Sequence, residues 1–229
     1  MRIGIIGNEP AGPILAKAWA SAGHELVAAA VDSPEAIERI ETLLPELRID
    51  SMAATVEDSE LVILAVPQND VRIVCEGLAD LGLFGPKKIV LHLSPLAGHG
   101  ILDSAALSGA VPIALHPVMH FSGTSVDLLV LKNTTVAVSA PELLLPIAQA
   151  LAIELGAEPI VVREDQRAAY AEAFEVASGF SSLVVQQAIG ILSDAGVDDA
   201  ARLIGPVVRS AVDAALATPI NPLDPRDLL

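Results

Sequence analysis

His92, Ser94, His116 and His120 stand at or just past the ends of two apolar runs, in the stretches KKIVLHLSP and VPIALHPVMHF. An imidazole in such a place can give or take a proton near neutral pH, and a serine hydroxyl beside it can hold a polar ligand group. If the two runs are parallel strands, these residues gather at the carboxyl edge of a sheet, where open α/β folds bind their ligands. His116 also admits a plainer use, anchoring the turn before Pro117 by a backbone hydrogen bond. Metal ligation is a third use of imidazole. His116 and His120 would share a face only on a helix, and Pro117 followed by VMHFSG reads as a loop, so no metal ligands are assigned. Cys75, the single cysteine, lies in a helical pattern without a histidine close in sequence and reads as a buried thiol.

A second group has the spacing of a phosphate-binding turn. The opening MRIGIIGNEPAG passes from a strand pattern into a helix pattern through Gly7 and Gly12. In the dinucleotide fingerprint G-x-G-x-x-G the middle glycine lets the backbone approach a pyrophosphate. Glu9 occupies that position here. A carboxylate there competes for the partial positive charge of the helix N-terminus, and Pro10 and Pro13 remove two N–H donors from it. Both prolines suit a first helical turn, so the turn is built well for folding and poorly for phosphate. Asp32 follows the next apolar run, ELVAAAV, about 20 residues past the glycines, where an acid can bind the adenosine ribose of NAD. Its local alternative is to help start a helix capped by Ser33 and Pro34. If a dinucleotide binds, Asp32 favours NAD over NADP, whose 2′-phosphate would meet a negative charge.

The elements that must position these residues alternate along the chain. RIGIIG, ELVAAAV, ELVILAVP, KKIVLHL, VPIALHP, TTVAVS and EPIVV read as strands, with helical patterns ending at Ala22, running from Pro34 to Leu44, and near 70–81. Strands apolar on both faces, interleaved with helices, indicate a parallel sheet covered on both sides. Gly23 closes the first helix, and SAPE at 139–142 reads as a capping box for PELLLPIAQALAIELG. From Asp165 the pattern changes to two long helices, 165–194 and 198–216, broken at DAGVDD. The expected fold is α/β, a Rossmann-like, mostly parallel sheet covered by helices over 1–162, followed by a small all-α domain over 163–229.

Composition narrows the partners. A net charge of −16 lacks the basic surface that nucleic acid or an anionic membrane requires. The apolar run Ile3 to Ile6 is too short for a signal peptide, and a single cysteine suits a reducing compartment, so a cytoplasmic protein is expected. The most apolar stretch, AAYAEAFEVASGFSSLVVQQAIGIL, carries Glu172, Glu175, Gln186 and Gln187, which are costly in a bilayer, and reads as a buried helix. About sixty residues cannot enclose so much apolar surface alone, which predicts a homodimer through the C-terminal helices.

The order of motifs resembles a known family. ELVILAVP, then VLHLSP, then LHPVMHF and a helical tail is similar to the 6-phosphogluconate dehydrogenase-like superfamily. Within it the chain resembles the branch that joins a pyrroline-carboxylate-reductase-like Rossmann domain to a C-terminal helical domain of unknown function. His92 and Ser94 match its His-Thr-Ser-Gly turn, with Pro95 in place of the glycine; His116, Pro117 and Phe121 match its second turn; and Tyr170 and Ser178 match its first tail helix. The resemblance implies a sheet extended beyond the usual Rossmann set, dimerising helices, and reduction of a small carbonyl or imine compound by NAD or NADP. On that reading His116 is the proton donor, His92 and Ser94 orient the substrate, and Gly7, Glu9, Gly12, Asp32, Val66 and Pro67 hold the cofactor. The alternative is a non-catalytic relative that has lost the dinucleotide and binds another ligand or partner. Glu9, Pro10, and Ala171 and Gly179, which replace a histidine and an asparagine of the family, point that way.

Overall fold

The structure, a computed structural model, describes residues 1–218. Seven strands form one sheet: β1 (Arg2–Ile6), β2 (Glu25–Ala30), β3 (Leu61–Leu64), β4 (Ile89–His92), β5 (Val111–Pro117), β6 (Thr135–Ser139) and β7 (Glu158–Val161). Their order is β2-β1-β3-β4-β5-β6-β7, with β1 to β5 parallel and β6 antiparallel to β5. Every strand-like run in the sequence became a strand.

Alternation along the strands builds two cores. Ile3, Ile5, Leu61, Ile63, Leu91 and Ile113 face one side, while Ile6, Val62, Leu64 and Val90 face the other. The first side is covered by α1 (Ala11–Ser21), α2 (Pro34–Leu43) and α7 (Leu145–Glu154); buried Trp19 of α1 donates its indole N–H to the Leu151 carbonyl of α7 at 2.9 Å. The second side is covered by α3 (Met52–Asp58), α4 (Gln68–Asp80) and α5 (Asp103–Leu107). Buried Cys75 of α4 belongs to this second core. A further short helix, α6 (Asp127–Leu131), precedes β6.

The caps follow the sequence in part. Ser33 accepts the Ala36 N–H at the start of α2, with Pro34 at the first helical position. The capping box expected at SAPE does not form. Ser139 is still in β6, where its hydroxyl lies 2.8 Å from His99 Nδ1, so it is spent on a tertiary contact.

By compactness the chain divides into one unit, Met1–Glu172, and a second that begins at Ala173. The expected first domain, 1–162, lies within the first unit, which runs on into α8 (Arg167–Glu175). After α8 a π turn, Val176–Phe180, leads to α9 (Ser181–Asp194), which packs on α10 (Ala200–Ala217). The helix expected to be buried in AAYAEAFEVASGFSSLVVQQAIGIL is exposed in the single chain: Leu183 is 62% and Ile191 64% accessible. Among the described residues one helical run, Glu164–Asp194, is long and apolar enough to cross a membrane by length and composition.

Candidate functional site

Two clusters lie at the carboxyl ends of the strands. The first is the turn between β1 and α1, at the point where strand order reverses. Gly7 has φ +104 and donates its N–H to Ala30 O of β2 at 2.9 Å. A Cβ at Gly7 would lie 2.3 Å from Ala65 O and 2.4 Å from Val66 Cγ1. The Glu9 N–H donates to the same Ala65 carbonyl at 2.9 Å, so the turn is stitched to both neighbouring strand ends. Gly12 lets α1 settle on β3, since a Cβ there would meet Ala65 Cβ at 2.6 Å. Pro67 follows Val66 and begins α4.

Glu9 is exposed, and no side chain caps α1. Asn8, which sequence reasoning passed over, takes the central role. Its Nδ2 donates to Asp32 Oδ1 at 2.6 Å, its Oδ1 accepts the Asp32 N–H at 3.1 Å, and its carbonyl accepts from Arg39 at 3.0 Å. The acid expected to meet a ribose is thus already held by a neighbour on one of its oxygens.

The second cluster contains the histidines. His92 ends β4, fully buried, and both ring nitrogens serve its own loop: Nδ1 accepts the Ser94 N–H at 3.2 Å, and Nε2 donates to Gly98 O at 3.0 Å. Burial pushes its pKa down to about 4, so it is neutral. The Ser94 hydroxyl bonds the Gln68 side-chain carbonyl and accepts the Leu96 N–H at 3.1 Å, tying this loop to the start of α4. His99 Nδ1 lies 2.7 Å from Glu164 Oε1, which also accepts the Gly100 N–H at 3.0 Å.

His116 lies near the end of β5, 5% accessible, and its Nδ1 is 2.7 Å from the Tyr170 hydroxyl of α8. The two rings meet edge to face, 6.0 Å apart. Burial first, then the charge of Arg167, lowers the His116 pKa to about 4. Burial raises the Tyr170 pKa, against the smaller pull of Arg167. Arg167 sits one turn before Tyr170 with its guanidinium carbon 5.3 Å from the ring centre, a cation–π contact. His120 is exposed in the following loop, away from any such pairing. Among the described residues no group of three His, Cys, Asp or Glu side chains is gathered for a metal.

The structure therefore joins His92 to Ser94 by a hydrogen bond, leaves room at Gly7 for Val66 that a Cβ would close, and places His116 against Tyr170. Gln68, Glu164 and Arg167 belong to the same region and were missed, as was the contact of His99 with Glu164. Arg167 and Tyr170 carried one faint signal, a spacing of three on a helix; nothing local connected them to His116.

Residues 1–117 match the Rossmann-like domain family, and residues 134–222 match a domain of unknown function, DUF2520. None of the curated proteins matches the sequence. Among solved structures, a Streptomyces aurantiacus imine reductase is similar over 93% of this chain and 73% of its own, at 17% identity and a TM-score of 0.70. A semialdehyde dehydrogenase NAD-binding protein from Cupriavidus necator, in complex with calcium and NAD, is similar over 99% and 87%, at 18% identity and a TM-score of 0.66. A pyrroline-5-carboxylate reductase from Coxiella burnetii is similar over 96% and 81%, at 18% identity and a TM-score of 0.64. At such identities the likeness is one of fold. With more than half its length matched, and with a seven-stranded sheet reversing order at a glycine turn, the chain belongs to the Rossmann-like domain family.

Proposed function

We propose that this protein is an NAD(P)-dependent oxidoreductase that reduces the C=O or C=N bond of a small molecule, with the His116–Tyr170 pair supplying the proton. The observation that carries the reading is the 2.7 Å contact between His116 Nδ1 and the Tyr170 hydroxyl at the carboxyl edge of the sheet. The fold of the imine reductase and the two other neighbours supports it.

The turn keeps features that suit a dinucleotide. Gly7 and Gly12 make the tight turn and the close helix approach, and Glu9 leaves the start of α1 uncapped. Gly7, Glu9, Gly12, Asp32, Val66 and Pro67 would hold it, with NAD preferred because Asp32 repels a 2′-phosphate. A reduced nicotinamide held there would supply a hydride. Tyr170 would give its hydroxyl proton to the oxygen or nitrogen of the bond being reduced. Half-buried Tyr170 is protonated at neutral pH, and neutral His116 orients its hydroxyl and relays the replacement proton. Arg167 offsets the charge left on the phenolate. Ser94 and His92 shape the loop beside the substrate.

A second reading has its own observations: the Asn8 clamp on Asp32 and the carboxylate at Glu9 favour a relative that has shed the dinucleotide and binds another ligand or partner. Calorimetric titration with NADH and NADPH, on the wild type and Glu9→Gly, separates the two. Binding by the wild type supports the oxidoreductase; silence from both proteins supports the second reading. In either case we place the protein in the cytoplasm as a homodimer formed by α9 and α10, with a small molecule as its ligand and neither nucleic acid nor membrane as partner.

A further inference from the structure

We propose that Arg167 is the receptor for a substrate carboxylate, so that the molecule reduced is a 2-oxo or 2-imino acid; this rests on the oxidoreductase reading above. Arg167 is 3% accessible, and among the described residues its Nε and both terminal nitrogens are buried without a hydrogen-bond partner. A guanidinium has five N–H donors in a planar fork, and leaving all of them unmade in the interior costs several kcal/mol. Globular chains avoid that cost by giving such groups a partner from the protein, ordered water or a ligand.

The nearby carboxylate does not supply them. Glu164, whose charge reaches Arg167, spends Oε1 on His99, Gly100 and Ser139. Arg167 is left with the face of Tyr170, a contact that engages the cation but satisfies no N–H. A buried positive charge is matched best by an anion, and a planar, two-oxygen anion matches the fork.

Position selects the class. Arg167 and the proton donor Tyr170 lie one helical turn apart on α8, ring against guanidinium. With the guanidinium carbon 5.3 Å from the Tyr170 ring centre, a carboxylate held by the fork would bring the adjoining carbon, and the oxygen or nitrogen on it, to the side of the site that holds Tyr170. A 2-oxo or 2-imino acid has its reducible bond on that adjoining carbon. A substrate without the carboxylate would leave the buried charge unmatched and bind weakly, which is how a polar site rejects an apolar analogue.

Tyr170 is the single tyrosine of the chain, so ring-¹³C tyrosine labelling gives one resonance beside Arg167. We expect pyruvate and 2-oxoglutarate to shift it saturably in the wild type without any dinucleotide, and methyl pyruvate and inorganic phosphate to leave it in place. Arg167→Lys should weaken the binding at least tenfold, and Arg167→Met should abolish it. Arg167→Lys keeps the charge and the stem, so it decides the matter if Arg167→Met fails to fold. No saturable shift with either 2-oxo acid, an equal shift with phosphate, or wild-type affinity in Arg167→Lys would overturn the proposal. Because the readout needs no cofactor, a protein that takes pyruvate but not NADH would sink the oxidoreductase reading and leave the carboxylate site standing.

Discussion

His116 and Tyr170, 54 positions apart, share a 2.7 Å hydrogen bond between imidazole Nδ1 and phenol hydroxyl. β5 delivers the histidine and α8 the tyrosine, and the same helix brings a buried guanidinium against the phenol face. The first prediction concerns this pair. Tyr170→Phe keeps the ring and removes the hydroxyl, so kcat for carbonyl or imine reduction should fall about 10²- to 10⁴-fold, the usual worth of a positioned acid. NADH affinity by calorimetry should not move. His116→Asn should lower kcat less, because the phenol remains. A change confined to KM would show that Tyr170 only binds.

Acid should destabilise the protein through its two buried histidines. His92 and His116 have native pKa values lowered from the usual 6.5 to about 4. The unfolded chain takes up these protons first, so their contribution is whole above pH 6.5 and drains away as pH falls toward 4. Each accounts for at most roughly 3 kcal/mol across that window. Urea unfolding at pH 7.0 and 5.0 measures the loss, and His116→Asn should flatten the slope by about half. An unchanged slope would mean that His116 is not held neutral.

At the glycine turn the expected effect of Glu9 is electrostatic and modest. A carboxylate near the start of a helix competes with a bound phosphate by about 0.3–1 kcal/mol, so Glu9→Gly should tighten NADH binding about two- to fivefold. Raising the salt concentration should shrink that difference. Weaker binding in Glu9→Gly would assign the carboxylate a positive role.

Gly7→Ala should be far more costly. Its φ of +104 disfavours any side chain, and the added Cβ would lie 2.3 Å from Ala65 O. Strain and overlap together predict a loss of roughly 2 kcal/mol or more in thermal or urea unfolding. Wild-type stability would show that the turn can relax.

The exposed apolar face of α9 and of the turn before it predicts the oligomer. Phe180, Leu183, Val184 and Ile191 are all more than half accessible in one chain. Light scattering after size exclusion should give the mass of a dimer, and Leu183→Glu with Ile191→Glu should give that of a monomer. A wild-type monomer in detergent-free buffer would remove the dimer.

Much of this architecture was written locally. Apolar runs such as RIGII and LVIL carry their strand character and double-sided burial in their own residues, because a strand buried on both faces has no polar positions to spare. Ser33 and Pro34 announced their helix because a cap is satisfied within four residues. SAPE failed as a cap for the opposite reason: the Ser139 hydroxyl found His99, forty positions away, and no local rule weighs a partner that distant. The same limit governs the site. Sequence alone marked Gly7, Gly12, His92 and His116, since glycine geometry and strand ends are local facts. The clamp of Asn8 on Asp32, the pairing of His116 with Tyr170 and the burial of the Arg167 guanidinium were decided only when the sheet closed, because hydrogen bonds and burial between distant elements exist in space and have no spacing in the chain.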